Sequence, residues 1–195
     1  MRDVRNLPDN LRLRVATPAD AEALQALMTA SVEAIFPAFY DAEQTASGVR
    51  HIGVLDLALV EDGTYFVIEA PDGTLAACGG WSRRDKLFNG AEVTGAEARL
   101  LDPATEPARV RAMFVSGDWT RRGLGTRILE ACEDAARAEG FTTLALMATM
   151  PGLPLYRSWG FGNEQPQDLV MPDGVVVPGV AMSRAVTNPQ ANAGH

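Results

Sequence analysis

The chain has 195 residues, of which 47% are hydrophobic and 22% are charged, which is the composition of an ordinary globular domain. Its 25 acidic and 17 basic residues give a formal net charge of −8, which argues against a general binder of nucleic acid or of anionic membranes. No apolar run in the sequence has the length of a membrane span. The two cysteines, Cys78 and Cys132, are too few for a disulfide framework, and no group of Cys and His residues has the spacing of a metal site. The first residues also lack the apolar stretch of a signal peptide, so we expect a cytoplasmic protein without a metal ion.

The chain begins with the pattern of a strand followed by a helix. Residues 11–16 alternate apolar and polar side chains, which is typical of a half-buried strand. Thr17 can cap a helix whose first position is Pro18 and which Pro37 ends. Short helical pieces are predicted over residues 38–60, where we expect His51 at the surface and not as a catalytic base.

A hairpin is predicted next. Residues 64–70 and 75–82 have strand composition and are separated by Pro-Asp-Gly, a strong turn signal. Gly79-Gly80 inside the second strand predicts a bulge, and Trp81 is expected in the core. Residues 83–105 show little periodicity and predict a long connection.

The central part of the chain predicts a strand, a glycine-spaced loop, a helix and a second strand. Residues 108–115 are rich in β-branched and aromatic side chains. The loop 120–126 leads into a helix that Gly140 ends, and residues 141–149 form the next buried strand. The apolar stripe of this helix consists of Leu124, Ile128, Cys132, Ala135 and Ala136, and its polar positions are Arg127, Glu130, Glu133, Asp134 and Arg137.

The last part of the chain predicts a short helix and a second hairpin. The helix begins in residues 151–154 and carries Tyr156. Residues 165–171 and 175–184 are strands around a second Pro-Asp-Gly turn. Small polar residues fill 187–195, which we expect to be a flexible tail.

The glycine-spaced loop at the helix start has the properties of an anion site. The first N–H groups of a helix lack intrahelical partners, and the helix dipole leaves partial positive charge there. Gly123 and Gly125 let a ligand approach the main chain, while Arg121 and Arg122 add charge. A phosphate or pyrophosphate is therefore the expected ligand.

Two common phosphate loops do not fit this segment. A P-loop requires Lys followed by Ser or Thr after its second glycine, but Thr126 and Arg127 follow Gly125. The dinucleotide-binding fingerprint requires a third small residue where Ile128 stands.

The segment instead resembles the acyl-coenzyme A loop of the GNAT superfamily of N-acetyltransferases, written Gln/Arg-x-x-Gly-x-Gly/Ala. Residues 120–125 match it except at the first position, where Thr120 stands. Residues 155–161 look like the family's Tyr-x-x-x-Gly-Phe segment, and residues 13–20 are similar to its first strand and helix.

The resemblance implies an α/β fold with a single GNAT-like domain. Its mixed central sheet is expected to have about seven strands flanked by helices, with strands 4 and 5 parallel and splayed apart. The domain is expected to span 1–186, followed by the tail 187–195.

The resemblance also implies acetyl-coenzyme A as cosubstrate, with no metal. Tyr156 occupies the position of the family's general acid, although a packing role for it stays open. No base is identified, because residues 108–115 contain no carboxylate and Arg109 stands where one is first sought. The implied cofactor-binding residues are Met113, Phe114, Val115, Arg121, Arg122, Gly123, Leu124, Gly125 and Thr126.

The expected function is transfer of an acetyl group to a primary amine directly within a ternary complex. We expect a small amine as acceptor, with neither nucleic acid nor membrane as partner, and a homodimer stays open. The excess of acidic residues favours an amine that is cationic in solution, as do the carboxylates in the expected pocket walls, 31–60 and 83–105. The carboxylates in the expected walls are Asp41, Glu43, Asp85, Glu92 and Glu97.

Two alternative functions remain. One is a non-catalytic acyl-coenzyme A sensor, and the other is an acetyltransferase of protein N-termini or lysines.

Overall fold

The computed structural model describes residues 10–86 and 98–187, and every structural statement below concerns these two ranges. The strands are β1 (Arg12–Val15), β2 (Tyr65–Glu69), β3 (Leu75–Ser82), β4 (Ala108–Val115), β5 (Thr143–Thr149), β6 (Gly162–Val170) and β7 (Val176–Ala185). The α-helices are α1 (Ala21–Ile35), α2 (Ala42–His51), α3 (Leu57–Glu61), α4 (Leu124–Ala138) and α5 (Leu153–Ser158).

All seven strands form one mixed sheet in the order β1-β2-β3-β4-β5-β7-β6. Its parallel pair is β4 and β5, and the other neighbours are antiparallel. The parallel pairing covers only Ala108 opposite Leu144 and Arg109 opposite Ala145, so the two strands separate beyond Arg109. The predicted fold class, with splayed fourth and fifth strands, is confirmed.

A bulge in β4 lies where the two strands separate. Gly80 is opposite Arg111 and Cys78 is opposite Phe114, so two residues of β4 face one residue of β3. Ala112, one of these two residues, has a left-handed φ of 52°. The bulge predicted from Gly79-Gly80 is confirmed, and it breaks the alternation of β4 side chains between the two faces of the sheet.

Each face of the sheet is covered by its own helix. The apolar side of α4, which includes Ile128 and Cys132, packs on one face together with Trp81, and Trp81 is only 1% exposed as predicted. On the opposite face α1 packs through Met28 and Val32. Both cysteines are buried free thiols. The sheet therefore separates two cores, one under α4 and one under α1.

The polar side predicted for α4 is wrong at one position. Glu133 is only 3% exposed, because its carboxylate accepts hydrogen bonds from Trp159 Nε1 at 3.1 Å and from the backbone N–H of Thr187 at 2.6 Å. Gly140 has the expected left-handed φ of 90° after the helix. The predicted tail lies outside the described residues except for Thr187, which these bonds attach to α4.

No helix in the described ranges is long and apolar enough to cross a membrane. Within the same ranges no group of three or more His, Cys, Asp and Glu side chains is arranged to hold a metal ion.

Candidate active site

A cleft of about 560 Å³ occupies the gap between β4 and β5. Its walls come from α1, the bulged end of β4, the first turn of α4, the end of β5 and α5. The cleft therefore passes from the α4 face of the sheet to the α1 face, and the splayed strands create it.

The first turn of α4 presents its amides to this cleft. The first intrahelical hydrogen bond runs from Arg127 N–H to Gly123 O at 3.1 Å, so the amides of residues 124–126 precede it. Gly123 and Arg121 have left-handed φ values of 82° and 58°, which turn the loop into the helix. Gly123, Leu124, Gly125 and Thr126 all line the cleft, where their N–H groups and the helix dipole favour an anion.

Gly125 lies close to a side chain of α5. A Cβ atom at this position would lie 2.7 Å from Leu155 Cδ2. The Leu155 side chain would have to move to make room for it, and the added side chain would also occupy space at the cleft wall. Substitution of Gly125 therefore changes the local packing and the cleft wall together.

The two loop arginines differ in position. Arg121 lines the cleft. The guanidinium of Arg122 lies 4.7 Å from the centroid of the Trp119 ring, in a cation–π contact. Arg122 is not among the residues that line the cleft, so the structure brings only one of the predicted pair to its wall.

The end of β4 offers main-chain groups to the cleft. Ser116 N–H donates to Ala76 O at 2.9 Å, which makes Ala77 and Val115 a non-hydrogen-bonded pair. The N–H and C=O of Val115 therefore point away from β3, toward the gap. The Val115 carbonyl accepts a 3.0 Å hydrogen bond from Ser31 Oγ of α1. Met113 and Phe114 line the same stretch.

Tyr156 lies in the wall of the cleft on the α4 side. Its ring is 8% exposed and stacks edge-on against Phe161 at a centroid distance of 5.9 Å. Burial raises the pKa of the Tyr156 phenol well above its ordinary value, with a smaller contribution from Cys132. The hydroxyl therefore stays protonated at neutral pH, as a hydrogen-bond donor must.

Tyr40 supports the segment that carries Tyr156, a role that the sequence did not predict. Its hydroxyl donates to Pro178 O at 2.9 Å and accepts from Met150 N–H at 2.8 Å. Met150 begins a 3₁₀ turn, Met150–Gly152, that leads directly into α5. Nothing in the local sequence marks this role, because both partners lie more than a hundred positions away.

The acidic wall expected for the acceptor pocket is wrong for its three described members. Asp41 caps α2 by accepting from Gln44 N–H at 2.8 Å, and Glu43 is exposed on the same helix. Asp85 pairs with Arg109 at 2.8 Å. None of the three lines the cleft. Glu92 and Glu97 lie outside the described residues.

A buried arginine lines the cleft on the α1 face instead. Arg111 is 3% exposed, and its Nη2 lies 3.0 Å from Asp56 Oδ2, which is also 3.2 Å from Lys86 Nζ. Burial lowers the pKa of Arg111, and the Asp56 carboxylate opposes that shift. Burial alone would raise the pKa of Asp56, but Arg111 and Lys86 lower it overall.

The described lining contains no carboxylate and no histidine, so it provides no side-chain general base. Arg109, at the position where a base was first sought, is occupied with Asp85. His51 lies at the end of α2, 3.1 Å from Asp173, and does not line the cleft. This placement agrees with the expectation that His51 is not the base. Its side chain is only 21% exposed, which is less than expected for a surface residue.

Comparison with known proteins identifies the class. The sequence model of the acetyltransferase (GNAT) family matches residues 26–161, more than half of the chain, and the chain belongs to this family. It is therefore an acyltransferase by family. No curated protein sequence matches it.

Solved structures share the fold at low identity. A GCN5-related N-acetyltransferase from Rhodopseudomonas palustris is 18% identical with a TM-score of 0.65, over 89% of this chain and 94% of that one. PaiA N-acetyltransferase from Thermoplasma acidophilum, solved with coenzyme A, is 13% identical with a TM-score of 0.62, over 90% and 99%. YncA, a putative acetyltransferase from Salmonella typhimurium solved with acetyl-coenzyme A, is 17% identical with a TM-score of 0.58, over 92% and 95%.

Proposed function

We propose that this protein is an N-acetyltransferase that moves the acetyl group of acetyl-coenzyme A to the primary amine of a small molecule. The observation that carries the proposal is a single cleft that joins an anion-binding helix start to a buried, protonated tyrosine. The cosubstrates of the structural neighbours PaiA and YncA support the same assignment.

The residues of the cleft suit the parts of acetyl-coenzyme A. The pyrophosphate would lie on the amides of residues 121–126, with Arg121 supplying positive charge at the cleft wall. The pantetheine arm would run along Met113, Phe114 and Val115, where the main chain of β4 faces the gap. The end of the arm then reaches the wall formed by Tyr156.

The reaction is direct. The neutral amine nitrogen bonds to the thioester carbonyl carbon, the carbon–sulfur bond breaks, and the sulfur takes the electron pair. The Tyr156 hydroxyl donates its proton to this sulfur, and water takes the proton that the amine loses and returns a proton to the Tyr156 phenolate. Holding both substrates in one cleft supplies much of the rate enhancement.

Two alternatives follow from the same cleft. A non-catalytic acyl-coenzyme A sensor has no need of a proton donor beside the sulfur, so Tyr156 favours the enzyme. An acetyltransferase of protein N-termini or lysines is the other alternative, and peptides with free N-termini or lysines added to the amine panel test it. A domain over 1–186, a flexible tail over 187–195, a cytoplasmic location and a homodimer stay predictions of this proposal.

The proposal is tested by incubating the protein with acetyl-coenzyme A and a panel of amines while measuring thiol release. Thr126→Glu places a carboxylate beside the helix amides, and affinity for acetyl-coenzyme A should fall about tenfold or more because like charges repel. An acidic residue in the first turn of a helix does not harm the fold. Ala138→Glu adds the same charge at the exposed end of α4 and should leave affinity unchanged. Equal affinity in all three proteins, or no thiol release with any amine, would overturn the assignment.

A further inference from the structure

A buried tyrosine supports the bulged end of β4 from the α1 side of the sheet. Tyr65 of β2 is completely buried and belongs to the core under α1. Its hydroxyl oxygen lies 2.7 Å from the carbonyl oxygen of Ala112 and 3.2 Å from the sulfur of Cys78. A carbonyl oxygen can only accept, so the hydroxyl donates its single proton to Ala112 O.

The buried environment keeps this hydroxyl a donor. Burial raises the pKa of the Tyr65 phenol well above its ordinary value, with a smaller contribution from Cys78. Burial also raises the pKa of the Cys78 thiol, to about 12. Both groups therefore stay neutral around pH 7, and the hydrogen bond from Tyr65 to Ala112 is kept there.

The Ala112 carbonyl depends on Tyr65 because β3 turns its main chain away at the bulge. Gly79 of β3 lies opposite the bulge. Trp81 N–H donates to Thr64 O at 3.1 Å, and alternation along β3 turns the main chain of Gly79 toward β2 as well. Ala112 also has a left-handed φ of 52°, which a residue other than glycine keeps only where its surroundings fix it. Tyr65 supplies the hydrogen bond that β3 does not direct to this carbonyl.

The same peptide unit carries the N–H of Met113. None of the peptide bonds in the described ranges is cis, and the N–H and C=O of a trans peptide point in opposite directions. The N–H of Met113 therefore points away from Tyr65. Alternation along β4 gives the same direction, because Val115 faces the gap, Phe114 faces β3 and Met113 faces the gap again. Met113 lines the cleft, so its N–H is directed into the space that a ligand would fill.

Met113 lies where the acyl end of the cofactor is expected. Val115 leads through the loop to the helix start that is assigned to the pyrophosphate. Met113 lies two residues farther back, about 7 Å along the strand, toward the point beyond Arg109 where β4 and β5 separate. An arm that runs from the helix start along Val115 therefore brings its acyl end toward Met113. Negative charge develops on the thioester oxygen during acyl transfer, and an N–H that is fixed in advance stabilises it.

We propose that Tyr65 is a positioning residue for acetyl transfer, whose hydroxyl fixes the Ala112–Met113 peptide with the Met113 N–H directed at the thioester oxygen. This inference rests on the proposed function and adds to it a residue that is not part of the cleft lining. When the amine nitrogen bonds to the thioester carbon, the carbonyl oxygen takes an electron pair and the Met113 N–H stabilises its charge. The pair returns to re-form the carbonyl as the carbon–sulfur bond breaks and the sulfur leaves with its electrons.

The first test replaces Tyr65 with Phe, which keeps the ring and removes the hydroxyl. Removal of a whole oxyanion donor lowers kcat by about a hundredfold to a thousandfold. Tyr65→Phe only loosens such a donor, so we expect kcat to fall about tenfold or more. Affinity for coenzyme A, which lacks the acetyl carbonyl, should stay unchanged in calorimetry.

Val67→Ala is the matched control for a packing defect. Val67 is as buried as Tyr65, and both residues belong to the core under α1. The substitution should lower the free energy of unfolding and leave kcat unchanged. Unchanged kcat in Tyr65→Phe, or an equal fall of kcat in both variants, overturns the role of Tyr65.

A second readout follows the hydrogen bond to the thioester itself. Acetyl-coenzyme A labelled with ¹³C at the thioester carbonyl is bound without an acceptor amine, and its C=O stretching band is recorded by infrared difference spectroscopy. A hydrogen bond to the carbonyl oxygen lowers the frequency of this band, so the band should lie lower in the wild type than in Tyr65→Phe. A general loss of stability would not move the band. The same frequency in both proteins contradicts the proposal.

The comparison can also be made with a relaxed bulge. Glycine adopts a left-handed φ without strain, so Ala112→Gly offsets a loss of stability caused by Tyr65→Phe. If Tyr65→Phe alone does not fold, kcat and the carbonyl band are compared between Ala112→Gly and the double variant, with the same expected differences. Equal values in this pair overturn the role of Tyr65 and leave the proposed acetyl transfer intact. Absence of thiol release by the wild type with every amine defeats the proposed function itself.

Discussion

Tyr156 has a packing role in the structure and a proposed role as proton donor. Its ring contacts Phe161 in the core while its position in the cleft wall exposes it to a bound ligand. The burial that packing requires raises the pKa of the phenol, so the hydroxyl stays a donor over the whole neutral range. The two roles therefore support each other.

Replacing Tyr156 with Phe removes the donor and keeps the ring. We expect kcat to fall about a hundredfold or more, the usual size of general acid catalysis, with little change in affinity for acetyl-coenzyme A. Steady-state kinetics and calorimetry measure the two quantities. Unchanged turnover when chemistry limits the rate would leave Tyr156 a packing residue only.

The pH profile is a control on that assignment. Because burial raises the pKa of Tyr156 above its ordinary value of 10.0, its deprotonation cannot reduce activity below about pH 10. The rate should rise with pH as the acceptor amine loses its proton. A falling limb below about pH 9 that disappears in Tyr156→Phe would contradict the buried, protonated phenol.

At the scale of elements, the position of α5 depends on hydrogen bonds made by a residue outside the helix. Tyr40 follows the 3₁₀ turn at the end of α1, and its hydroxyl bridges the Met150 amide and the Pro178 carbonyl. This bridge connects the α1 side of the molecule to the turn that leads into α5. Tyr156 is thus held in place by its own packing and by Tyr40.

Tyr40→Phe should leave the Met150 N–H and the Pro178 carbonyl without their partner. Loss of a partner for buried polar groups costs about 1–3 kcal/mol, so urea denaturation should show a lower free energy of unfolding. We also expect a lower kcat at an unchanged KM for acetyl-coenzyme A, because only the segment before α5 is loosened. Phe39→Leu, on an exposed neighbour, is the control and should change neither quantity. An effect of the same size in both variants would remove the special role of Tyr40.

The elements that the sequence predicted well are those with local signals. The strand at 108–115 has the predicted bounds, and both hairpins follow Pro-Asp-Gly turns. The glycine-spaced loop and the helix that follows it were also recognisable, because glycine spacing and helix periodicity occur within one segment. The first turn of α4 and Tyr156 were accordingly brought together in one cleft.

Residues whose environment comes from distant parts of the chain were not predictable. Helical periodicity placed Glu133 on the polar side, because Trp159 and Thr187, which surround it, are far away in sequence. The burial of Arg111 in β4 was not predictable either, because its partner Asp56 lies 55 positions away in the sequence. The prediction of an acidic pocket wall was wrong for the same reason. A helix cap and an ion pair hold Asp41 and Asp85 away from the cleft.

At the scale of the whole molecule, the site requires a sheet that is open at its centre. The α4 face and the α1 face each have a separate core, and the cleft connects them where β4 leaves β5. Only two residue pairs join β4 to β5 in the sheet. Contacts elsewhere must therefore hold α4 against the part of the sheet formed by β5, β7 and β6. Glu133 provides such contacts, because it joins α4 to the end of α5 and to the end of β7.

Removing Glu133 should therefore destabilise the whole domain. Its carboxylate accepts from Trp159 Nε1, from the Thr187 amide and from the Thr187 hydroxyl, and it lies 3.4 Å from Arg184 Nη2. Glu133→Ala removes a buried acceptor from these partly exposed donors, and we expect the free energy of unfolding to fall by about 1–3 kcal/mol. Alanine is the better helix former, so helix propensity cannot cause the loss.

The neighbouring acid on α4 is a matched control for this prediction. Asp134 has a side chain that is 64% exposed and pairs with Arg137 on the surface. Asp134→Ala removes the same charge from the adjacent position and should change stability by no more than about 0.5 kcal/mol. Urea denaturation of both variants, with the same m-value, measures the difference. If the two substitutions have equal effects, the contacts of Glu133 stabilise the domain no more than a surface ion pair does, and another contact must hold α4 in place.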